Sequence, residues 1–231
     1  MKTGDSDDSA QSATTHWDKR LDDIEARIAE HAIPTKSWEV ITDILDSTRI
    51  VASYIHGANE AFAELTRCTS RARHSMRATR LAPRSIVTSN VSYMNTVYES
   101  VKDPNDNNQS HVQNYMRLIA VNSPEKQRDV VDLIMHCYGA PMTVYLTTAV
   151  YGFELLLADS QESFIMFSDE HDAIDSTLYL RGGDLTRELE HVFDKMCDNT
   201  VEVIDCSTID EGNVADALAR VKKVWADVLL V

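Results

Sequence analysis

The stretch Met116–Cys137, MRLIAVNSPEKQRDVVDLIMHC, places two secondary structures back to back and decides the class of the fold. Met116 to Val121 is a compact apolar run of strand length. Ser123 then offers a side-chain acceptor for a helix N-terminus, Pro124 suits the first turn, and Glu125 places an acid at the positive end of the helix. Val130, Val131, Ile134 and Met135 follow at helical spacing and define the face expected to be buried. A strand that feeds a helix is the repeating unit of layered α/β folds.

The pattern continues on both sides. Upstream, Ile50 to Ile55 reads as a short extended segment, and Gly57 leads into a helix with the apolar face Ala61, Phe62, Leu65 and Cys68. His74 to Leu81 reads as a strand, and a helix is expected near Tyr93 to Val101 after Pro83. The Asx-rich and Pro-containing run Asp103 to Asn108 opposes regular structure and reads as an exposed loop. Downstream, Met142 to Thr148, Phe153 to Ala158, Phe164 to Phe167 and Thr177 to Leu180 are four β-rich runs divided by polar turns, which predicts a local meander. Asp184 is expected to cap a helix with the stripe Leu185, Leu189, Val192, Phe193 and Met196. Val201 to Ile204 is the last strand, and Thr208 with Glu211 forms a capping-box pattern before a helix facing inward through Val214, Leu218, Val221 and Trp225. Residues 1–15 read as a flexible tail, 16–48 as a helical extension with Trp17, Leu21, Ile24 and Ile28 at helical spacing, and 49–231 as one domain. The expected architecture is a mixed β-sheet flanked by helices.

Composition bounds the function. With 43% hydrophobic residues in 231, the chain can bury a substantial core. The formal net charge of -15 disfavours nucleic acid, because a row of phosphates requires a contiguous basic surface. Arg71, Arg73, Arg77, Arg80 and Arg84 concentrate positive charge locally, and the preferred reading is a solvated helix end. Cys68, Cys137, Cys197 and Cys206 form no CxxC, so a zinc ribbon or redox motif is not supported. No apolar run approaches the length of a membrane span and no charged leader precedes one, so a cytoplasmic location is expected, without a membrane partner.

The order of elements resembles that of single-unit phospholipase-D-like domains over about Ile50 to Ile204. Three stretches carry the resemblance: YIHGANEAFAELTRCTSRARHSMRATRLAPRSI at 54–86, the opening stretch at 116–137, and YGFELLLADSQESFIMFSD at 151–169. The resemblance implies a motif His-x-Lys-x-x-x-x-Asp, in which the imidazole attacks phosphorus and the ammonium neutralises charge developing on the phosphoryl oxygens. At the matching positions stand Gly152, Glu154 and Asp159, so only the last residue conforms. None of the eight histidines is followed by Lys two positions later, a check that does not depend on register. The resemblance therefore implies a non-catalytic member: a ligand-sensing or protein-interaction domain with no cofactor, paired as a homodimer. Any surviving cleft is expected around Gly152, Glu154 and Asp159, with Arg77, Arg80 and Arg117 as charge partners for a small molecule or a protein. Glu154 and Asp159 would favour a cationic ligand, whereas the arginines would favour an anion.

Two alternatives remain open at this stage. One is an enzyme assisted by a metal at Asp169, Glu170, His171, Asp172 and Asp175, a run that also reads as a polar hairpin turn lacking the EF-hand spacing and its Gly. The other is a transcriptional regulator, although the segment from Trp17 to Leu45 is short and acidic for a DNA reader. Glu188 and His191 read as surface helix positions, and Gly182-Gly183 as a strand-to-helix turn. The tyrosines Tyr93, Tyr98, Tyr138, Tyr145, Tyr151 and Tyr179 read mainly as core-edge residues with hydroxyls in water.

Overall fold

A computed structural model describes residues 51–81, 90–102, 112–168 and 174–229. The expected tail, the helical extension and the Asp103 to Asn108 loop lie outside the described residues. Strand β1 (Val51–His56) turns at Gly57 into α1 (Ala58–Arg71). Gly57 has φ +82°, a conformation costly for a residue with a side chain. There follow β2 (Ser75–Arg80), α2 (Val91–Ser100), β3 (Asn114–Ala120), α3 (Pro124–Cys137) and β4 (Met142–Thr147). The chain continues through β5 (Phe153–Ala158), β6 (Glu162–Ser168), β7 (Ile174–Arg181), α4 (Gly183–Cys197), β8 (Thr200–Asp205) and α5 (Val214–Leu229).

The eight strands form one sheet in the order β1-β7-β6-β5-β2-β3-β4-β8. Pairs β2–β3 and β3–β4 are parallel and the rest antiparallel, so the sheet is mixed, as the alternation of elements predicts. The expected meander is real for β5, β6 and β7 but excludes β4, because β2 and β3 lie between β4 and β5. Consecutive β-rich runs carry no information about such a long-range insertion.

Because side chains alternate across a strand, the sheet divides the core in two. Met76, Ala78, Tyr115, Ile119, Val144, Leu156 and Ala158 pack beneath α1, α2, α3 and α5. Leu118, Leu155, Leu157, Ile165, Leu178 and Leu180 pack against α4, the one helix on that face among the described residues. Trp225 on α5 is buried and donates from Nε1 to the Ser123 carbonyl at 3.0 Å, which fixes the start of α3 beside the last helix.

Several local expectations hold in detail. Ser123 accepts from the Lys126 amide, and the buried face of α1 includes all four predicted residues. Others need correction. The α3 face is Lys126, Val130, Leu133, Ile134 and Cys137, while Met135 is 46% exposed, since it lies one step round the helix from the covered stripe. The residue preceding α4 is Gly182, which has no side-chain acceptor to offer, and Asp184 lies within the first turn. The box expected from Thr208 and Glu211 is made two residues on: Asp210 accepts from the Gly212 and Asn213 amides, while Asn213 Oδ1 accepts from the Asp210 amide. Thr208 instead donates back to the Asp205 carbonyl.

Candidate functional site

Of the six residues singled out from the sequence, the four that lie in strands are distributed over both faces of the sheet. Positions an even number apart share a face. Arg80 therefore lies with Ala78 on the α3 side, Arg117 with Tyr115, and Glu154 with Leu156 and Ala158. Arg77 projects to the opposite side, where it pairs with Glu190 at 2.6 Å and approaches Asp194 at 3.4 Å, both on α4. The structure thus gathers Arg80, Arg117 and Glu154 and separates Arg77 from them.

Glu154 is 1% exposed. Pairing of β2 with β5 stops at Ala78↔Leu156, and the carboxylate stands where the ladder would have continued. Its Oε2 accepts from the Leu81 amide and the Thr79 hydroxyl, both at 2.9 Å, and Oε1 accepts from the same amide at 3.1 Å. Thr79 Oγ1 in turn accepts from the Leu155 amide at 2.7 Å. The carboxylate therefore closes the end of the strand pair with acceptors that a lysine could not supply.

Asp159 is equally committed to the backbone. Its Oδ1 accepts from the His74 and Ser75 amides at 2.7 and 2.9 Å, and Oδ2 accepts from the Arg73 amide at 2.9 Å. These contacts tie the β5–β6 turn, where Asp159 and Ser160 both have positive φ, to the entry of β2. Gly152 lies just before β5 and is partly exposed.

Arg84 lies outside the described residues, and the arginines from Arg71 to Arg80 do not form a single solvated helix end. Arg71 ends α1 and pairs with Glu162 at 3.0 Å, whereas Arg77 and Arg80 belong to a strand. Arg80 is buried and forms an ion pair with Asp129 on α3. Burial, and then the nearby Arg117 charge, push the Arg80 pKa down to about 10, against the opposing pull of Glu154 and Glu125. Lys126, also buried, points its Nζ at the Arg80 carbonyl, 3.4 Å away. Arg117 is 1% exposed and donates from Nη1 to the Tyr115 hydroxyl at 3.1 Å.

Sequence reasoning missed Lys126, Asp129 and Tyr115. The spacing held a signal for the last: Tyr115 and Arg117 are two apart on one strand and therefore share a face. Tyr93 and Tyr115 are fully buried, which corrects the core-edge reading for Tyr93. Burial raises both phenol pKa values, and the Arg117 charge opposes that rise. All four cysteines are free, and burial holds Cys137, Cys197 and Cys206 up at about 12. Glu188 and His191 lie on the exposed face of α4, as expected. Residues Asp169 to Asp172 lie outside the described residues. Among the described residues no three His, Cys, Asp or Glu side chains gather as a metal site, and no helix is long and apolar enough to cross a membrane.

No family model and no curated protein matches the chain. Among solved structures it is similar to Nuc from Salmonella typhimurium, a phospholipase D family member, at 5% identity and TM-score 0.49, over 66% of this chain and 97% of that one. It is also similar to NucT from Helicobacter pylori, at 11% identity and TM-score 0.46, over 66% and 99%. A third likeness is to TrmBL2, an archaeal chromatin protein, at 10% identity and TM-score 0.46, over 83% and 68%. The mixed β-sheet flanked by helices anticipated from the sequence is met by the structure itself. The functional reading rests on this chain's own geometry.

Proposed function

We propose that this chain is a non-catalytic ligand-sensing or protein-docking protein built on a degenerate phospholipase-D-like domain. The observation that carries the reading is the state of Glu154. It stands where the resemblance implies the motif lysine, it is buried, and its carboxylate binds the Leu81 amide and the Thr79 hydroxyl. A carboxylate there would repel a phosphodiester, and Gly152 brings no nucleophile to the position of the motif histidine. Asp159, the one conforming residue, is occupied by three backbone amides. With both carboxylates engaged in this way, and with Arg77 and Arg80 paired to acids on the flanking helices, Arg117 remains the better candidate for recognition, which favours an anion over an amine.

The reading includes a homodimer, as the resemblance implies and as soluble assemblies most often adopt. Light scattering on the eluting protein gives its mass directly; a monomer at all concentrations removes that part. The binding reading is tested by melting the protein against anionic, cationic and neutral small molecules. A rise in Tm with one class is expected, since any ligand that binds only the native state stabilises it by mass action. No rise with any class removes the ligand-sensing half and leaves docking alone.

A further inference from the structure

A guanidinium removed from water needs compensation for most of its lost hydration. Arg117 is 1% exposed, and it has one hydrogen-bonding partner among the described residues, the neutral Tyr115 hydroxyl. No carboxylate of the described residues comes within ion-pair distance of it. Its Nη2 is buried with no hydrogen-bond partner among the described residues. Natural proteins seldom leave such a group unmet, because the net cost of an unpaired charged donor exceeds that of a neutral one.

Arg117 is surrounded by aromatic hydroxyls, and the charges of Glu154 and Arg80 also act on it. Tyr115 lies on its own strand, and Tyr93 on α2 is buried nearby and feels the Arg117 charge. Tyr98, also on α2, is half-buried and feels the same charge. Its ring stacks on His136 of α3 with centroids 4.4 Å apart and planes inclined by 9°. His136 is exposed and holds its Nδ1 2.7 Å from the Asp132 carbonyl oxygen. The stacked pair thus bridges α2 and α3 at the surface, and Arg117 lies on the sheet face that those two helices cover.

We propose that Arg117 Nη2 binds a small oxyanion, a carboxylate or a phosphate, between α2 and α3, with the Tyr115 and Tyr93 hydroxyls as further ligands and the Tyr98–His136 pair at its mouth. A planar guanidinium and a phenol offer the donors that a carboxylate or phosphate oxygen accepts, and a charge-assisted bond in a dry interior is about twice as strong as a neutral one. Size is limited by the two helices, so the ligand is a small ion or the acidic end of a compact molecule. This site is built on β3 and the helices that cover it, with Glu154 of β5 near enough for its charge to act on Arg117. It deepens the binding reading and rests on it.

The test uses inorganic phosphate and acetate as probes on the full chain, at ionic strength matched with chloride because phosphate also stabilises proteins nonspecifically. Affinity is read from broadening of the phosphate phosphorus resonance and from the shift in Tm. Saturable binding of one of the two is expected in the native protein, at least tenfold weaker in Arg117→Met and several-fold weaker in Tyr115→Phe, which keeps the ring. Should Arg117→Met fail to fold, Tyr115→Phe and Tyr98→Ala carry the comparison. Equal binding in native and variant proteins, or no binding of either oxyanion, overturns the site. A cationic ligand that raises Tm while both oxyanions fail would remove this site and leave the binding reading intact, whereas phosphodiester hydrolysis by the chain would remove the reading itself.

Discussion

The Glu154 carboxylate lies 2.9 Å from the backbone amide of Leu81, seventy-three residues earlier in the chain. That contact joins the start of β5 to the end of β2 at the point where the ladder between them stops. The Glu154 side chain is thus part of the scaffold.

Removing that carboxylate leaves a buried amide and hydroxyl without an acceptor and takes a negative charge from beside Arg80 and Arg117. Glu154→Ala is expected to destabilise the protein by ~3–5 kcal/mol, the range for breaking one partner of a buried charged network. Glu154→Gln keeps an acceptor oxygen and should cost about 1–3 kcal/mol. Urea unfolding of the three proteins, with unchanged m-values, checks the order.

Asp159 gives a second case. Asp159→Ala abandons three backbone amides, and a loss of ~2–4 kcal/mol is expected, less than additive because the site is partly exposed. Asp159→Asn retains one oxygen but turns an amide nitrogen toward one donor, which should cost ~1–2 kcal/mol. Equal stability of Asp159→Ala and the native protein would show that this carboxylate is not structural.

The thiols predict a response to alkali. Cys137, Cys197 and Cys206 have folded pKa values raised to about 12 by burial, against an ordinary value of 9.0. Above pH 9 the unfolded chain releases these protons while the folded chain keeps them, so the unfolded state binds fewer protons and stability falls as pH rises. The stabilisation is complete below pH 9 and is lost progressively between pH 9 and 12. Tm measured across that interval should decline, and substituting Cys137 and Cys206 together by Ala should flatten the decline. The same burial predicts slow alkylation of native thiols at pH 8, with rapid alkylation in denaturant.

The strands and helices were legible because their apolar spacing is local: the buried face of α1 follows from four residues within eight positions. The insertion of β2 and β3 between β4 and β5 was not, since only distant contacts determine it. At the candidate site, the sequence placed Arg77, Arg80, Arg117 and Glu154 together by family position. Strand alternation divides them, because Arg77 and Arg80 are an odd number apart and must face opposite ways. The Arg80–Asp129 pair required knowing that α3 returns over β2, which no spacing within either element reveals.

The most direct test of the account is hydrolysis of an activated phosphodiester, bis(4-nitrophenyl) phosphate, by highly purified protein over a wide pH range. The account predicts release of nitrophenolate no faster than in buffer, and no difference between the native protein and Glu154→Gln. Turnover that exceeds background and disappears on substituting Glu154 or Arg117 would contradict it.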